Sequence, residues 1–289
     1  ADLQKATYLA LQNEIAAIVY SNIKSGEIPI NDVYTALIGN SVINTEHFSK
    51  AKASDTEKNV LSVFKSRQKT TLGKIKQELT SSPEALNTMS DEVLDEFTYI
   101  ISMLKDDQVL LKNEIDTSDS VYQKWKNQKI SPKEYLSYCI TQHWIDISQL
   151  NVDEKYADST EVYDALCKYI LKNIKTDTEF SKIIYQYMIT RGEISPRQLC
   201  LILFDQGVLD YDDATVNKLK NGSLSPRDFL MKKIYNIEIT PAQLALEPCT
   251  GSCVVTDEKT GEIRAMVSYP GYDSNKLANG VDSEYFASL

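Results

Sequence analysis

Apolar residues recur at three- and four-residue steps along most of this chain, which is the period of an amphipathic helix. Leu11, Ile15, Ile18 and Ile23 mark one face of a first helix. Leu61, Phe64, Leu72, Ile75 and Leu79 mark a longer one with lysine-rich flanks, and Val93, Leu94, Phe97, Ile100, Ile101 and Leu104 a third. Leu136, Cys139, Ile140, Trp144 and Ile147 predict a fourth, and later helices centre on Leu166–Ile174, Ile183–Ile189, Leu199–Phe204 and Phe229–Tyr235. The pattern changes near the end. Val254 and Val255, then Ile263, Ala265, Met266 and Val267, form two short, partly β-branched runs around Asp257-Glu-Lys-Thr-Gly261. A polar loop ending in glycine between two such runs predicts a β-hairpin, and Pro270-Gly271 ends its second strand. The fold class expected is mainly α, a multi-helix N-terminal region followed by a short C-terminal β-hairpin.

Several helix starts share one signature. Ser131-Pro-Lys-Glu134, Ser195-Pro-Arg-Gln198, Ser225-Pro-Arg-Asp228 and Thr240-Pro-Ala-Gln243 each place a hydroxyl at the N-cap, proline at the first helical position and an acceptor at the third. The hydroxyl satisfies an orphan amide, and the acceptor reaches back to the cap amide. Proline costs nothing there, because its missing N–H had no helical partner. An apolar residue precedes each cap: Ile130, Ile194, Leu224 and Ile239. An EF-hand reading of Gly222 puts Asn217, Leu219 and Asn221 at ligand positions, and leucine cannot ligate calcium. The segment before Gly192 would offer Tyr187, Ile189 and Arg191, which is worse. Capped helices are the reading that remains, and their spacing is too uneven for a solenoid.

The chain has 289 residues, 42% hydrophobic and 25% charged, with a net charge of −10. That charge argues against nucleic acid or an anionic membrane as the main partner. No apolar run reaches the ~18 residues of a membrane span. Of five cysteines, Cys139, Cys167 and Cys200 sit among aliphatic residues and read as small core hydrophobes. Cys249 and Cys253 would stand about 13 Å apart if extended, too far for a disulfide, unless a tight turn brings them together. His47 and His143 lack metal-ligand spacing, so no metal is expected. Tyr163, Tyr169, Tyr185, Tyr187, Tyr211 and Tyr235 mostly lie at helical spacing beside aliphatic residues. They predict packing rather than a glycan-stacking surface.

One stretch is far more specific than a turn. Thr250-Gly-Ser-Cys-Val-Val-Thr-Asp257-Glu-Lys-Thr-Gly261-Glu-Ile-Arg-Ala-Met-Val-Ser-Tyr-Pro-Gly-Tyr-Asp273-Ser-Asn275 resembles the segment that opens the transpeptidase domain of penicillin-binding proteins. The resemblance covers about a seventh of the chain. It implies that residues 247–289 begin an α/β transpeptidase domain and that residues 1–246 are a helical pedestal or interaction region, with two subdomains conceivable. It implies a parent enzyme that cross-links peptidoglycan by D,D-transpeptidation. In that chemistry a serine attacks the D-Ala-D-Ala end of a stem peptide, forms an acyl-enzyme and passes it to a neighbouring amine. β-Lactams acylate the same serine, and the resemblance implies no cofactor. The implied partners are stem peptides and β-lactams, through a catalytic domain beyond Leu289, together with other cell-wall synthesis proteins. The implied location is the extracytoplasmic face of a bacterial membrane, anchored upstream of Ala1. The arginine- and glycine-containing stretch that opens many such pedestals is not found here.

Family motifs also occur where they should not act. Lys259-Thr260-Gly261 matches the third catalytic box but precedes any acceptable first box and sits in the hairpin turn. S-x-x-K occurs at Ser21–Lys24, Ser49–Lys52, Ser62–Lys65 and Ser66–Lys69, all upstream of the domain that should carry the nucleophile. No catalytic, cofactor-binding or metal-binding residue is therefore expected within these residues. The alternative reading is a helical protein-interaction module with no enzymatic parent. On either reading a lone hairpin is marginal in water. Residues 251–268 should dock on helices, pair with another chain, or lack order.

Overall fold

The structure, a computed structural model, describes residues 2–81, 84–152 and 157–271. The chain is mainly helical, with a two-stranded antiparallel hairpin near its C-terminus. By contact it forms two compact units, one of Ala1–Glu57 with Ile194–Leu289 and the other of Lys58–Glu193. These are packing boundaries; the division expected near residue 246 came from resemblance and is of another kind.

The first unit holds α1 (Asp2–Ser25), α2 (Ile30–Gly39), the first turn of α3 (Asp55–Thr80), and, after residue 193, α9 (Pro196–Asp205), α10 (Asp213–Asn221), α11 (Pro226–Tyr235), α12 (Pro241–Leu244), β1 (Gly251–Thr256) and β2 (Ile263–Tyr269). Its core includes Ile15, Val19 and Ile23 from α1, Val33, Leu37 and Ile38 from α2, Leu199, Ile202 and Leu203 from α9, and Leu230 and Ile234 from α11. Ile18 departs from expectation. It is 38% exposed, because the buried stripe runs through Ile15, Ala16, Val19 and Ile23 instead.

The second unit holds the rest of α3, then α4 (Asp91–Asp106), α5 (Ser120–Lys126), α6 (Pro132–Thr141), α7 (Ser159–Ile174) and α8 (Thr178–Thr190). Phe64, Ile75, Phe97, Ile100, Leu104, Leu136, Leu166, Ile170, Phe180 and Ile184 are buried in it. Phe64 stacks on Tyr185 with ring centroids 4.2 Å apart. Trp144 and Ile147 do not belong to α6. His143 takes φ +58°, which breaks the helix, and Ile145 then bridges Leu110. The elements α2, α5 and α10 went unpredicted, being short helices whose apolar stripe barely repeats.

All four hydroxyl caps form as the sequence requires, and the reciprocal bond to the cap amide forms at two of them. Ser131, Ser195, Ser225 and Thr240 are N-caps whose side chains accept from the amides of Glu134, Gln198, Asp228 and Gln243. The side chains of Gln198 and Gln243 complete full capping boxes. Three residues before each cap the backbone is left-handed, at Gln128, Gly192, Gly222 and Ile237. Each start is therefore also the exit of the preceding helix, and the apolar residue between, such as Ile130, Ile194 or Ile239, is buried. Ser54 and Glu57 form another such box at the head of α3.

Among the described residues no helix is long and apolar enough to cross a membrane. All five cysteines are free thiols. Cys139, Cys167 and Cys200 are buried, and burial pushes their thiols up, to about 12, 11 and 12.

Candidate functional site

The hairpin that carries the resemblance is built by alternation. Gly251 pairs with Tyr269, Cys253 with Val267 and Val255 with Ala265, and these residues face α1. Val254 pairs with Met266 and Ser252 with Ser268 on the outer face. A bulge follows Val255 and shifts the register so that Thr256 meets Ile263. The two apolar runs are thus not uniformly buried: Val254, Ile263 and Met266 are exposed.

The loop is closed by Asp257. Its Oδ1 accepts from the amides of Lys259 at 2.9 Å and Thr260 at 3.1 Å, and these bonds hold the carboxyl below its ordinary range. Gly261 takes φ +74°, a conformation that costs glycine little. Lys259-Thr260-Gly261 is thus an exposed turn, as its position in the sequence predicts.

The hairpin docks on one stripe of α1: Gln4, Tyr8, Leu11 and Ile15, spaced by four, three and four residues along the helix. The Gln4 amide donates to the carbonyl of Met266 and accepts from its N–H at 3.0 Å. Tyr8 packs on Tyr269 with centroids 6.1 Å apart, and its hydroxyl accepts from the amide of Gly271 at 3.4 Å. A Cβ on Gly251 would stand 3.0 Å from Ile15 Cδ1 and 3.3 Å from Leu11 Cδ1, so the missing side chain is what lets β1 lie against the helix. Of the three fates expected for the hairpin, docking on a helix is the one found.

The S-x-x-K matches fall in ordinary helical positions. Ser21 and Lys24 lie within α1, Ser62–Lys65 and Ser66–Lys69 lie in the interior of α3, and Ser49 ends a 3-10 turn (Thr45–Ser49). In none does the hydroxyl bond the lysine; Ser49 donates to the Glu46 carbonyl instead.

Two buried carboxylate clusters escaped sequence reading. In the first unit, Glu57 is fully buried. It bonds His47 Nδ1 at 2.7 Å and accepts from Gln206 Nε2 at 2.8 Å and the Ser54 amide at 2.7 Å. Burial raises its carboxyl, but the bonds from Gln206, Ser54 and His47 outweigh this and hold it below its ordinary value. A histidine oriented by a carboxylate is half of a catalytic constellation, but no described serine, threonine or cysteine side chain bonds this imidazole.

In the second unit, Glu92 of α4 is buried and takes Arg191 bidentately, at 3.0 and 2.6 Å, together with Arg67 at 3.0 Å. Glu96, one turn on, is also buried. Burial, then the charge of Glu92, push its carboxyl up to about 8 despite Lys74 and Arg67 nearby. In the same unit hydroxyl–carboxylate ties run between elements: Tyr99 to Asp177, Tyr138 to Asp119, Tyr169 to Asp107 and Tyr187 to Asp95. Together with buried Tyr185, they bear out packing as the role of much of the tyrosine content; Tyr211 and Tyr235 are exposed.

Among the described residues no group of histidine, cysteine and acidic side chains is placed to hold a metal. Comparison with known protein families, characterised proteins and solved structures returns no match to this chain.

Proposed function

We propose that this chain is the front of a penicillin-binding protein: a helical, non-catalytic region joined to the opening hairpin of a D,D-transpeptidase domain. The observation that carries the reading is the sequence run from Thr250 to Asn275; its described part forms an antiparallel hairpin. The outward pair Val254 and Met266 supports it, since an exposed apolar sheet face is what a larger domain would cover. On this reading stem peptides and β-lactams meet a serine downstream of Leu289, cell-wall synthesis proteins meet the helices, and the parent works on the extracytoplasmic face of a bacterial membrane. No cofactor takes part. Residues 1–289 position the enzyme and bind partners without catalysing.

Fluorescent-penicillin labelling of this chain and of the natural protein extended past Leu289 tests the reading. Labelling of the extended form alone supports it. Failure of both, with both folded, favours a helical interaction module without an enzymatic parent.

A further inference from the structure

The charge of this chain is reversed along one helix. Lys58, Lys65, Lys69 and Lys76 of α3 are exposed. At about 100° per residue they lie within ~40° of one another, in a row about 27 Å long. None of the four ammonium groups makes a hydrogen bond or ion pair among the described residues, whereas Arg67, on another side of the helix, is committed to Glu92.

The row borders a groove of about 500 Å³ between α3 and α7. Lys65, Lys69 and Lys76 stand on one wall and Lys175 on the other, with half-buried Leu72 and Leu171 and exposed Gly73 between them; no acidic residue lines it. Gln68 Nε2 donates to the Lys175 carbonyl at 3.0 Å and ties the walls together. Gly73 is a mid-helix glycine that the packing does not require, since a Cβ there would meet nothing within 4 Å. Glycine in a helix interior is unfavourable relative to alanine, and one effect of it here is to keep the floor open to a chain lying along the helix.

We infer that this groove binds a linear phosphodiester polyanion without bases, of the polyol-phosphate class. The charged residues of the lining are all lysines, whose ammoniums are compact point charges that bind phosphate without a fixed geometry. The lining has no aromatic side chain on which bases could stack, which separates it from a single-stranded nucleic-acid channel. A row of exposed ammoniums about 27 Å long matches the repeating charge of an extended polymer. The inference stands on α3 and α7 and does not need the transpeptidase reading.

The test uses the full chain and a fluorescein-labelled oligo(glycerol phosphate), with anisotropy followed across a salt series. Binding should weaken steeply with salt. Lys65→Gln, Lys69→Gln and Lys76→Gln together should lower affinity at least ~10-fold and flatten the log–log salt slope by about two. Lys218→Gln with Lys220→Gln, which removes exposed charge on α10, should change neither. Gly73→Leu should weaken binding without lowering the melting temperature, because it fills the floor and favours the helix. Four results would overturn the inference: no binding at low salt; equal losses in the α10 variant; displacement by oligothymidylate of equal charge as readily as by unlabelled polymer; or binding to phosphatidylglycerol vesicles but not to the soluble polymer.

Discussion

The side-chain amide of Gln4 pairs with both backbone hydrogen-bonding groups of Met266, 262 residues further along the chain. It acts as one rung of a third strand on the outer edge of β2, where N–H and C=O groups would otherwise meet only water. Gln4→Ala should cost about 0.5–1.5 kcal/mol of hairpin docking. Hydrogen exchange of the Met266 amide should speed up several-fold, with little change in α9 or α11. An unchanged Met266 rate would remove Gln4 from the docking interaction.

Gly251 tests the same interface sterically. Gly251→Val forces a side chain into Ile15 and Leu11. Overpacking of this kind costs about 1–3 kcal/mol. Differential hydrogen exchange should show the loss concentrated in residues 251–269 and in the α1 stripe.

Glu92 holds two guanidiniums while almost fully buried. Glu92→Gln leaves Arg67 and Arg191 short of their counter-charge and should destabilise the second unit by about 3–5 kcal/mol. Urea unfolding measures this. Glu179→Gln breaks an exposed pair with Lys182 and should stay within about 0.5 kcal/mol.

Glu96 gives a pH signature of defined sign. Its carboxyl titrates near 8 in the folded chain against 4.5 for the ordinary group. Between those values the folded state holds a proton that the unfolded state has lost, so stability falls as pH rises, by about 1.4 kcal/mol per pH unit. The contribution is fully present below 4.5 and gone above about 8. Glu96→Gln should flatten this part of the profile and gain on the native chain as pH rises from 5 to ~8. Denaturant midpoints at several pH values decide it, and parallel profiles for the two proteins would refute the assignment.

The helix exits predict a reciprocal pair. Gln128 takes φ +60° and Gly192 φ +74°. Gln128→Gly should stabilise, and Gly192→Ala, whose Cβ meets nothing, should destabilise, each by about 1 kcal/mol. Thermal melts of both variants compare the left-handed cost directly.

The sequence by itself determined what is local. Ser131, Ser195, Ser225 and Thr240 mark helix starts because a cap hydroxyl satisfies the amide three residues on within a single turn. Asp257 and Gly261 close the hairpin for the same short-range reason. Periodicity placed the main helices and the buried cysteines, but it misassigned Ile18 and Trp144, where a stripe drifts or a left-handed residue breaks the helix. Only the tertiary structure decided which carboxylate Arg191 meets, that Gln4 finishes the edge of β2, and that Lys69 and Lys175 face each other across a groove. A hydrophobic repeat fixes which face of a helix turns inward. It carries nothing about the neighbour that face meets, because that choice rests on shape and charge brought together from distant parts of the chain.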